Sequence, residues 1–331
     1  MKNTSVRNRL RKVFQLEELA LLLALIVICA ALSLLTPTFA TTTNVLNILR
    51  QVSMTAITGY GMAMLILLGE IDLSVGSSQA LVAIVAISTL NATSSVFLAI
   101  LAGLLLGALT GLISGLLTVK GKLTSFIVTL GMMSIIRGVG MVVTNARSIR
   151  IEVPGFSNLG TGHIGAIPIP VILMVVLFVI INYILTQTSF GREIYAVGGN
   201  REAAKLAGLS VDRIRLIVFV ISGMLTALSA LILAGRVDSA QPNAGTGFEM
   251  DVVSAVVLGG ISMTGGIGKL TGALIGMLIL GVLSNGLTLL QVSSFWQDIC
   301  TGCITILAVF MDARRRENAA RKLNQSSSDK Q

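Results

Sequence analysis

Apolar runs of about 20 residues recur along almost the whole chain, and this pattern limits its possible folds more than any other feature. A run of this length, folded as a helix, crosses the hydrocarbon core of a bilayer, which is about 30 Å thick. Only 12% of the 331 residues are charged, about half of the share in a soluble domain. The chain is therefore predicted to be a polytopic membrane protein, and a soluble fold is excluded.

Hydropathy predicts an all-α fold with about ten transmembrane helices. The transmembrane domain covers 17–312, between a basic tail at 1–16 and a second basic tail at 313–331. The first apolar run is interpreted as a retained span rather than a cleaved signal peptide, because further membrane segments follow it. The ten predicted segments are 17–36, 46–69, 76–90, 96–119, 123–144, 170–188, 214–235, 249–262, 270–290 and 297–312.

The basic residues are distributed unevenly between the two sides of the predicted spans. With the N-terminus inside, the inner loops and tails hold 19 of the 24 lysines and arginines, as the positive-inside rule requires. Both termini are therefore predicted to be cytoplasmic, and the number of spans to be even. The same distribution, next to membrane lipid, accounts for the net charge of +9, so that no nucleic-acid partner is expected.

An internal duplication is predicted from two similar stretches, 68–76 and 258–266, which share four identical positions. A different register pairs two glycine ladders, one of which contains Gly103 and Gly107, so the correspondence between helices stays open. Small residues at this spacing allow helices to approach closely in lipid. The glycines themselves are therefore assigned to helix packing.

Motifs for catalysis, metal binding and nucleotide binding are absent from the sequence. His163 is the only histidine, and Cys29, Cys300 and Cys303 are interpreted as small apolar fillers. The chain has no GxxxxGK[ST] nucleotide motif and no row of carboxylates for a proton relay. We therefore expect no catalytic residue, no metal and no cofactor on this chain, and an energy source on another chain.

Charged residues near the predicted membrane boundaries are interpreted as caps, anchors or packing pairs. Glu70 and Asp72 end the second span at the inner side, and Glu249 and Asp251 begin the eighth at the outer side. Arg137, inside the fifth span, is expected to reach the interface. The residues assigned to a substrate pathway are Ser53, Thr55, Thr58, Asn243, Phe248, Ser254 and Asn285.

The largest inner loop, 189–213, is predicted to dock on a partner protein. A glycine turn precedes Asn200, which is expected to cap a short helix along the membrane surface, and Gly208 is expected to end that helix. The small side chains on one face of the helix suit insertion into a groove, whereas the alternative is a plain connecting helix. The residues assigned to this contact are Gly198, Gly199, Asn200, Glu202, Ala203, Ala204, Ala207 and Gly208.

Residues 201–208, Arg-Glu-Ala-Ala-Lys-Leu-Ala-Gly, resemble the Glu-Ala-Ala…Gly coupling loop of importer permeases in the ATP-binding cassette superfamily. Further stretches resemble the ribose/xylose/arabinose branch of that family, and the agreement extends along nearly the whole chain. They are Gly-Glu-Ile-Asp-Leu-Ser-Val-Gly (69–76), Phe-Ile-Val-Thr-Leu-Gly-Met-Met (126–133), Tyr-Ala-Val-Gly-Gly-Asn (195–200), and 239–251 leading into Ala-Val-Val-Leu-Gly-Gly (255–260). One departure is Glu70, where the branch is expected to have a small or hydroxyl residue.

The resemblance implies a transmembrane permease subunit of an ATP-driven importer in the bacterial inner membrane, with ribose or a similar pentose as the imported monosaccharide. It implies three partners: a cassette ATPase that binds ATP and Mg inside the cell, a periplasmic sugar-binding protein, and a second permease copy in a homo- or heterodimer. Two alternatives stay open. One is a secondary transporter driven by an ion gradient, and the other is the same family importing a nucleoside or a furanose-like signal molecule.

Overall fold

The computed structural model describes residues 3–307, 309–310 and 314, and most of this part is helical. Four strands of two residues each form two small antiparallel pairs, Ile149–Arg150 with Ser239–Ala240 and His163–Ile164 with Ile167–Pro168. A further helical stretch covers 294–307. The elements in chain order are α1 (Asn3–Leu35), α2 (Thr42–Leu67), α3 (Val75–Thr93), α4 (Val96–Val119), α5 (Ser125–Thr144), β1 (Ile149–Arg150), α6 (Asn158–Thr161), β2 (His163–Ile164), β3 (Ile167–Pro168), α7 (Ile169–Gln187), α8 (Ser189–Gly199), α9 (Arg201–Leu206), α10 (Val211–Val237), β4 (Ser239–Ala240), α11 (Phe248–Leu258) and α12 (Leu270–Leu289).

Within the described residues, seven helices are long and apolar enough to cross a membrane: α1, α3, α4, α5, α7, α10 and α12. The other three predicted segments also fall on helices, namely α2, α11 and the stretch 294–307. α2 has the required length, but it is not among the seven. α11 has 11 residues, about 16 Å of helix, which is too short to cross alone. The polytopic all-α fold is therefore confirmed, at the level of seven membrane-competent helices.

The centre of the molecule is α2, which packs against α10, α7, α11 and α12. Every residue from 56 to 68 is buried. On its far side, α10 packs along α4, where the glycine ladder lies in the contact: a Cβ at Gly107 would collide with the carbonyl of Gly223, and one at Gly111 with that of Phe219. The assignment of these glycines to helix packing is confirmed.

Two non-helical segments enter the interior from opposite ends of the bundle. Segment 68–74 follows α2 and leads to the first turn of α3, where Gln79 donates to Ser229 at 2.8 Å; Ser229 in turn donates to the carbonyl of Met54 at 2.9 Å. Since Met54 lies midway along α2, α3 begins at the level of the middle of α2. Segment 241–247 follows the end of α10, which runs antiparallel to α2, and leads to α11.

The two segments meet backbone to backbone. A Cβ at Gly76 would collide with the carbonyl oxygen of Gly245, and a Cβ at Gly245 would crowd the carbonyl of Gly76. Gly247 has φ +82°, a left-handed conformation that suits glycine at the entry to α11. Non-helical backbone at this depth is tolerated only when protein covers it or when it lines a cavity. Both conditions hold at this junction.

Side chains satisfy the polar backbone of segment 68–74. The Asp72 carboxylate accepts the Ser74 N–H at 2.8 Å and the Ser74 hydroxyl at 2.6 Å. The Ser125 hydroxyl of α5 accepts the Ile71 N–H at 3.2 Å. Asp72 therefore caps the turn that leads into α3, and it does so inside the molecule, where it is 3% exposed.

Candidate functional site: a central cavity and an inner coupling surface

Two adjoining cavities of about 130 and 270 Å³ lie beside α2. The larger cavity lies where segment 241–247 enters α11, with Gly245 and Thr246 on its wall, and the smaller lies between α2, α11, α12 and the stretch 294–307. They share three lining residues, Gln51 and Thr55 of α2 and Asp251 of α11. The other polar residues on the walls are Gln79, Thr246, Ser284, Gln297, Asp298 and Thr301.

The cavity walls combine hydrogen-bond acceptors and donors with an aromatic face. Asp251 and Asp298 supply carboxylate oxygens, and Gln51 supplies an amide that both donates and accepts. Phe248, at the first turn of α11, adds an apolar surface to the larger cavity. Such a lining suits a small neutral ligand with several hydroxyl groups, because each hydroxyl both donates and accepts.

Arg137 of α5 holds segment 241–247 beside the cavity. One of its guanidinium nitrogens donates to the carbonyl oxygens of Pro242 at 2.8 Å and Ala244 at 2.6 Å. Arg137 therefore anchors α5 to segment 241–247, and its side chain is used in this contact. The contact fixes the approach to α11 and thereby the position of Asp251.

The structure places the pathway residues in two groups. Thr55 and Phe248 lie on the cavity walls, and Asn243 is exposed on segment 241–247. The other four lie between helices. Ser53 donates a hydrogen bond to the Leu49 carbonyl, and Thr58 is fully buried. Ser254 forms hydrogen bonds with the Met250 carbonyl and the Thr305 hydroxyl. The side-chain amides of Asn285 and Asn44 form two hydrogen bonds of 3.0 Å with each other.

Sequence reasoning missed most of the polar cavity wall, including Gln51, Gln79, Asp251 and Asp298. Asp251 was assigned to a helix cap, and the glutamines were given no role. One usable signal was present. An amide side chain within an apolar run is costly in lipid, and it therefore indicates a neighbour or a cavity.

The predicted inner coupling surface consists of α8 and α9. The Thr188 hydroxyl accepts the Gly191 N–H at 3.2 Å and begins α8. The Asn200 side-chain oxygen accepts the Ala203 N–H at 2.9 Å and begins α9, while Gly208 has φ +85° just after that helix. The sequence predicted α9 with its cap and its end, but it did not predict α8.

Gly198 and Gly199 close α8 and do not form a turn, so the predicted glycine turn is wrong. A Cβ at Gly198 would collide with the Leu67 carbonyl oxygen, whereas a Cβ at Gly199 would meet nothing within 4 Å. Gly198 is therefore required for α8 to lie directly against the end of α2. Tyr195, three residues before Gly198 and on the same face of α8, also fixes this helix by donating to the Gly268 carbonyl at 2.9 Å, and burial raises the pKa of Tyr195 to about 12.

The outward face of α9 differs from the predicted one. Ala204 is 5% exposed and packs into the core of this chain, whereas Leu206 is 90% exposed. Glu202, Ala203 and Ala207 are exposed as well. The large apolar side chain that α9 exposes is therefore Leu206, flanked by Ala203 three residues before it and Ala207 next to it.

Glu70 joins this surface to the end of α2. Its carboxylate binds Arg201 of α9 at 2.5 Å and Arg215 of α10 at 2.6 Å, although it is itself 3% exposed. Arg201 also donates to the Leu68 carbonyl at 3.0 Å. Glu70 thus forms buried ion pairs with two arginines, as its interpretation as a member of a packing pair predicts.

Among the described residues, no group of three or more His, Cys, Asp or Glu side chains is placed to hold a metal ion. His163 lies against Arg50 on an exposed loop. Cys29, Cys300 and Cys303 carry free thiols.

The family model described as "Branched-chain amino acid transport system / permease component" matches residues 44–309. The ribose import permease protein RbsC of Haemophilus influenzae is 43% identical over 88% of this chain and 91% of its own length. RbsC of Escherichia coli K12 is 42% identical over 94% of this chain and 98% of its own length. The L-arabinose transport system permease protein AraH of the same strain is 38% identical over 92% of this chain and 93% of its own length. No solved structure shows significant similarity to the chain.

Proposed function

The chain belongs to this family of transport-system permease components, and we propose that it is the membrane-spanning subunit of an ATP-driven importer of a monosaccharide. Ribose, or a similar pentose, is the proposed cargo. The relatives named above are a ribose permease and an L-arabinose permease.

The observation that carries the proposal is the central cavity at the junction of two interrupted helices. Transporters place substrate sites at such junctions, where free helix ends and non-helical backbone meet inside the membrane. The carboxylates of Asp251 and Asp298 would accept hydrogen bonds from sugar hydroxyls, and Gln51 would bond a hydroxyl in either direction. Phe248 would cover the apolar face of the ring.

The energy source is proposed to lie on a cassette ATPase, which binds ATP and Mg and contacts the loop 189–213. Leu206 supports this assignment, because its side chain is 90% exposed and insertion of α9 into a groove of the ATPase would remove that apolar surface from water. Glu202, Ala203 and Ala207 complete the proposed contact. A second permease copy, homo- or heterodimeric, and membrane lipid would cover the exposed apolar faces of α4, α5 and α7.

A periplasmic sugar-binding protein is proposed to deliver the cargo at the outer side, next to segment 241–247 and Asn243. The proposed orientation places both termini in the cytoplasm of a bacterium, with the chain in its inner membrane. In that orientation the loop 189–213 and Glu70 lie at the inner side.

We also propose ten spans with an internal duplication in which α2–α3 corresponds to α11–α12. In both pairs, a helix ends at residue 67 or 258 and a non-helical segment precedes the next helix. The similar segments lie in direct contact, since the Gly266 N–H donates to the Leu67 carbonyl at 2.8 Å. Contact between equivalent segments is what a symmetry axis through this point would produce.

The test is uptake in proteoliposomes that contain the chain, the ATPase and the binding protein. We expect accumulation of labelled ribose that requires internal ATP and the binding protein, with weaker competition by L-arabinose. If only a nucleoside competed with uptake, the cargo would be a nucleoside instead of a pentose, and the chain would still be a subunit of an ATP-driven importer. Uptake by this chain alone, driven by an ion gradient and insensitive to ATP, would establish a secondary transporter instead.

A further inference from the structure

Glu70 lies where the inner coupling surface meets the buried segment 68–74. We propose that Glu70 is a positioning residue that makes α9 and this segment move as one body, so that a displacement of α9 reaches the central cavity. The inference rests on the proposed function, because it needs an ATPase that displaces α9. Its basis is the position of the two arginines that bind one carboxylate.

The first link joins α9 to the end of α2. Arg201 is the first residue of α9, and it binds Glu70 at 2.5 Å and the Leu68 carbonyl at 3.0 Å. Bonds between an arginine and a carboxylate are about twice as strong as neutral hydrogen bonds. The first turn of α9 is therefore attached by charge-assisted bonds to the turn that ends α2.

The second link runs from Glu70 to the cavity. Residues 70–76 span at most about 20 Å when extended, and Glu70, Asp72 and Ser74 are each at most 3% exposed. At its far end, Gly76 contacts the backbone of Gly245. Gln79, about one turn further along α3, lines the cavity. A short, buried segment that is held at both ends passes a displacement from one end to the other.

Stability alone does not require both arginines. A buried carboxylate needs one close counter-charge, and Arg215 supplies it from α10 at 2.6 Å with a side chain 12% exposed. The Arg201 side chain is 41% exposed, so solvent weakens its contribution to folding. What Arg201 adds is a connection from Glu70 to the coupling surface.

The experiment measures sugar imported per ATP hydrolysed, in proteoliposomes that hold the complete importer. Arg201→Gln leaves Glu70 paired with Arg215, so we expect normal assembly and continued ATP hydrolysis. The import-to-hydrolysis ratio should fall about fivefold or more, the lower end of coupling between two sites. Glu70→Gln should lower the ratio as well, and the double variant should be no worse than the more severe single variant.

Glu18→Gln is the matched control. It removes one carboxylate from another ion pair, Glu18–Lys269 at 3.1 Å, and it should keep the wild-type ratio. If Arg201→Gln keeps the wild-type ratio, the inference is overturned, even where Glu70→Gln fails to fold. If the wild-type importer itself does not take up sugar with ATP, the proposed function fails and this inference fails with it.

Discussion

The two halves of α2 contrast sharply in how the protein surrounds them. The half before Ala56 places Gln51 and Thr55 on the wall of an open, polar cavity. The half after Ala56 is fully buried, and its last carbonyl, at Leu67, is contacted by both α8 and the 259–269 loop. One helix thus joins a region that contains a polar cavity to a region that is fixed by close backbone contacts and charge.

The contrast shows how a permease can separate binding from coupling. Close backbone packing tolerates no change in volume and transmits displacement, whereas a polar cavity tolerates ligands of several shapes. Substitutions in the half after Ala56 should therefore affect the whole protein, and substitutions in the half before Ala56 should affect uptake of the cargo alone.

The largest effect is expected at the packed end. Gly198→Val places side-chain atoms on the Leu67 carbonyl, so we expect a loss of stability of about 3 kcal/mol or more and no uptake. Thermal unfolding of the purified chain and proteoliposome uptake measure the two results. Gly199→Ala is the control, because that position is open. Normal unfolding of Gly198→Val would remove the distinction between the two halves of α2.

A smaller and more selective effect is expected in the cavity. Asp251→Asn removes a charged acceptor, and a hydrogen bond to a charged group contributes about 1.5–3 kcal/mol. We expect ribose uptake to fall about 10- to 100-fold, with unchanged thermal unfolding and unchanged ATPase binding. Glu152→Gln, on an exposed loop, is the control. Equal losses for both variants would mean that Asp251 has no contact with the cargo.

Docking at the exposed side chain of α9 should depend on Leu206. Leu206→Ala is expected to weaken ATPase binding about tenfold, which corresponds to an interface residue of about 1–2 kcal/mol. Co-purification and titration with the ATPase measure this change. Ile164→Ala removes another exposed apolar side chain, 64% exposed on β2 and outside the coupling surface, and it should leave binding unchanged. Unchanged binding for Leu206→Ala would place the docking contact elsewhere on the loop.

The smallest effect is expected at Asn285 of α12, whose side-chain amide forms hydrogen bonds with that of Asn44 of α2. Asn285→Ala should cost about 1 kcal/mol or less, as interhelical hydrogen bonds in membranes usually do. Uptake at saturating ribose should stay within about twofold of wild type. A strong loss of uptake without a loss of stability would return Asn285 to the substrate pathway and extend the cavity toward α12.

The sequence predicted the helices well, because twenty-residue apolar runs have few other solutions in lipid. It also predicted Asn200 as a cap and α9 as a short helix, since both depend on local chemistry. It did not predict the interior segments 68–74 and 241–247. Their backbone is satisfied by side chains distant in sequence, such as Ser125 and Arg137, and hydropathy does not register such partners.

The candidate sites were predicted less completely, for the same reason. The face of a six-residue helix is set by what it packs against, so Ala204 proved to be buried and Leu206 exposed. Glu70 stood out in the sequence as a departure from the family pattern. Its two arginine partners lie 131 and 145 residues further along the chain, and spacing along the sequence gave no sign of them.

The covering of α2 by protein has a consequence for biosynthesis. α2 is not among the helices that are apolar enough to span a membrane alone, and α10, one of its main neighbours, begins at Val211. The ribosome therefore completes α2 well before its cover is made. A nascent chain at that stage depends on the translocon to shelter α2. Chains that end before α10 should be recognised and degraded by the quality-control proteases of the membrane.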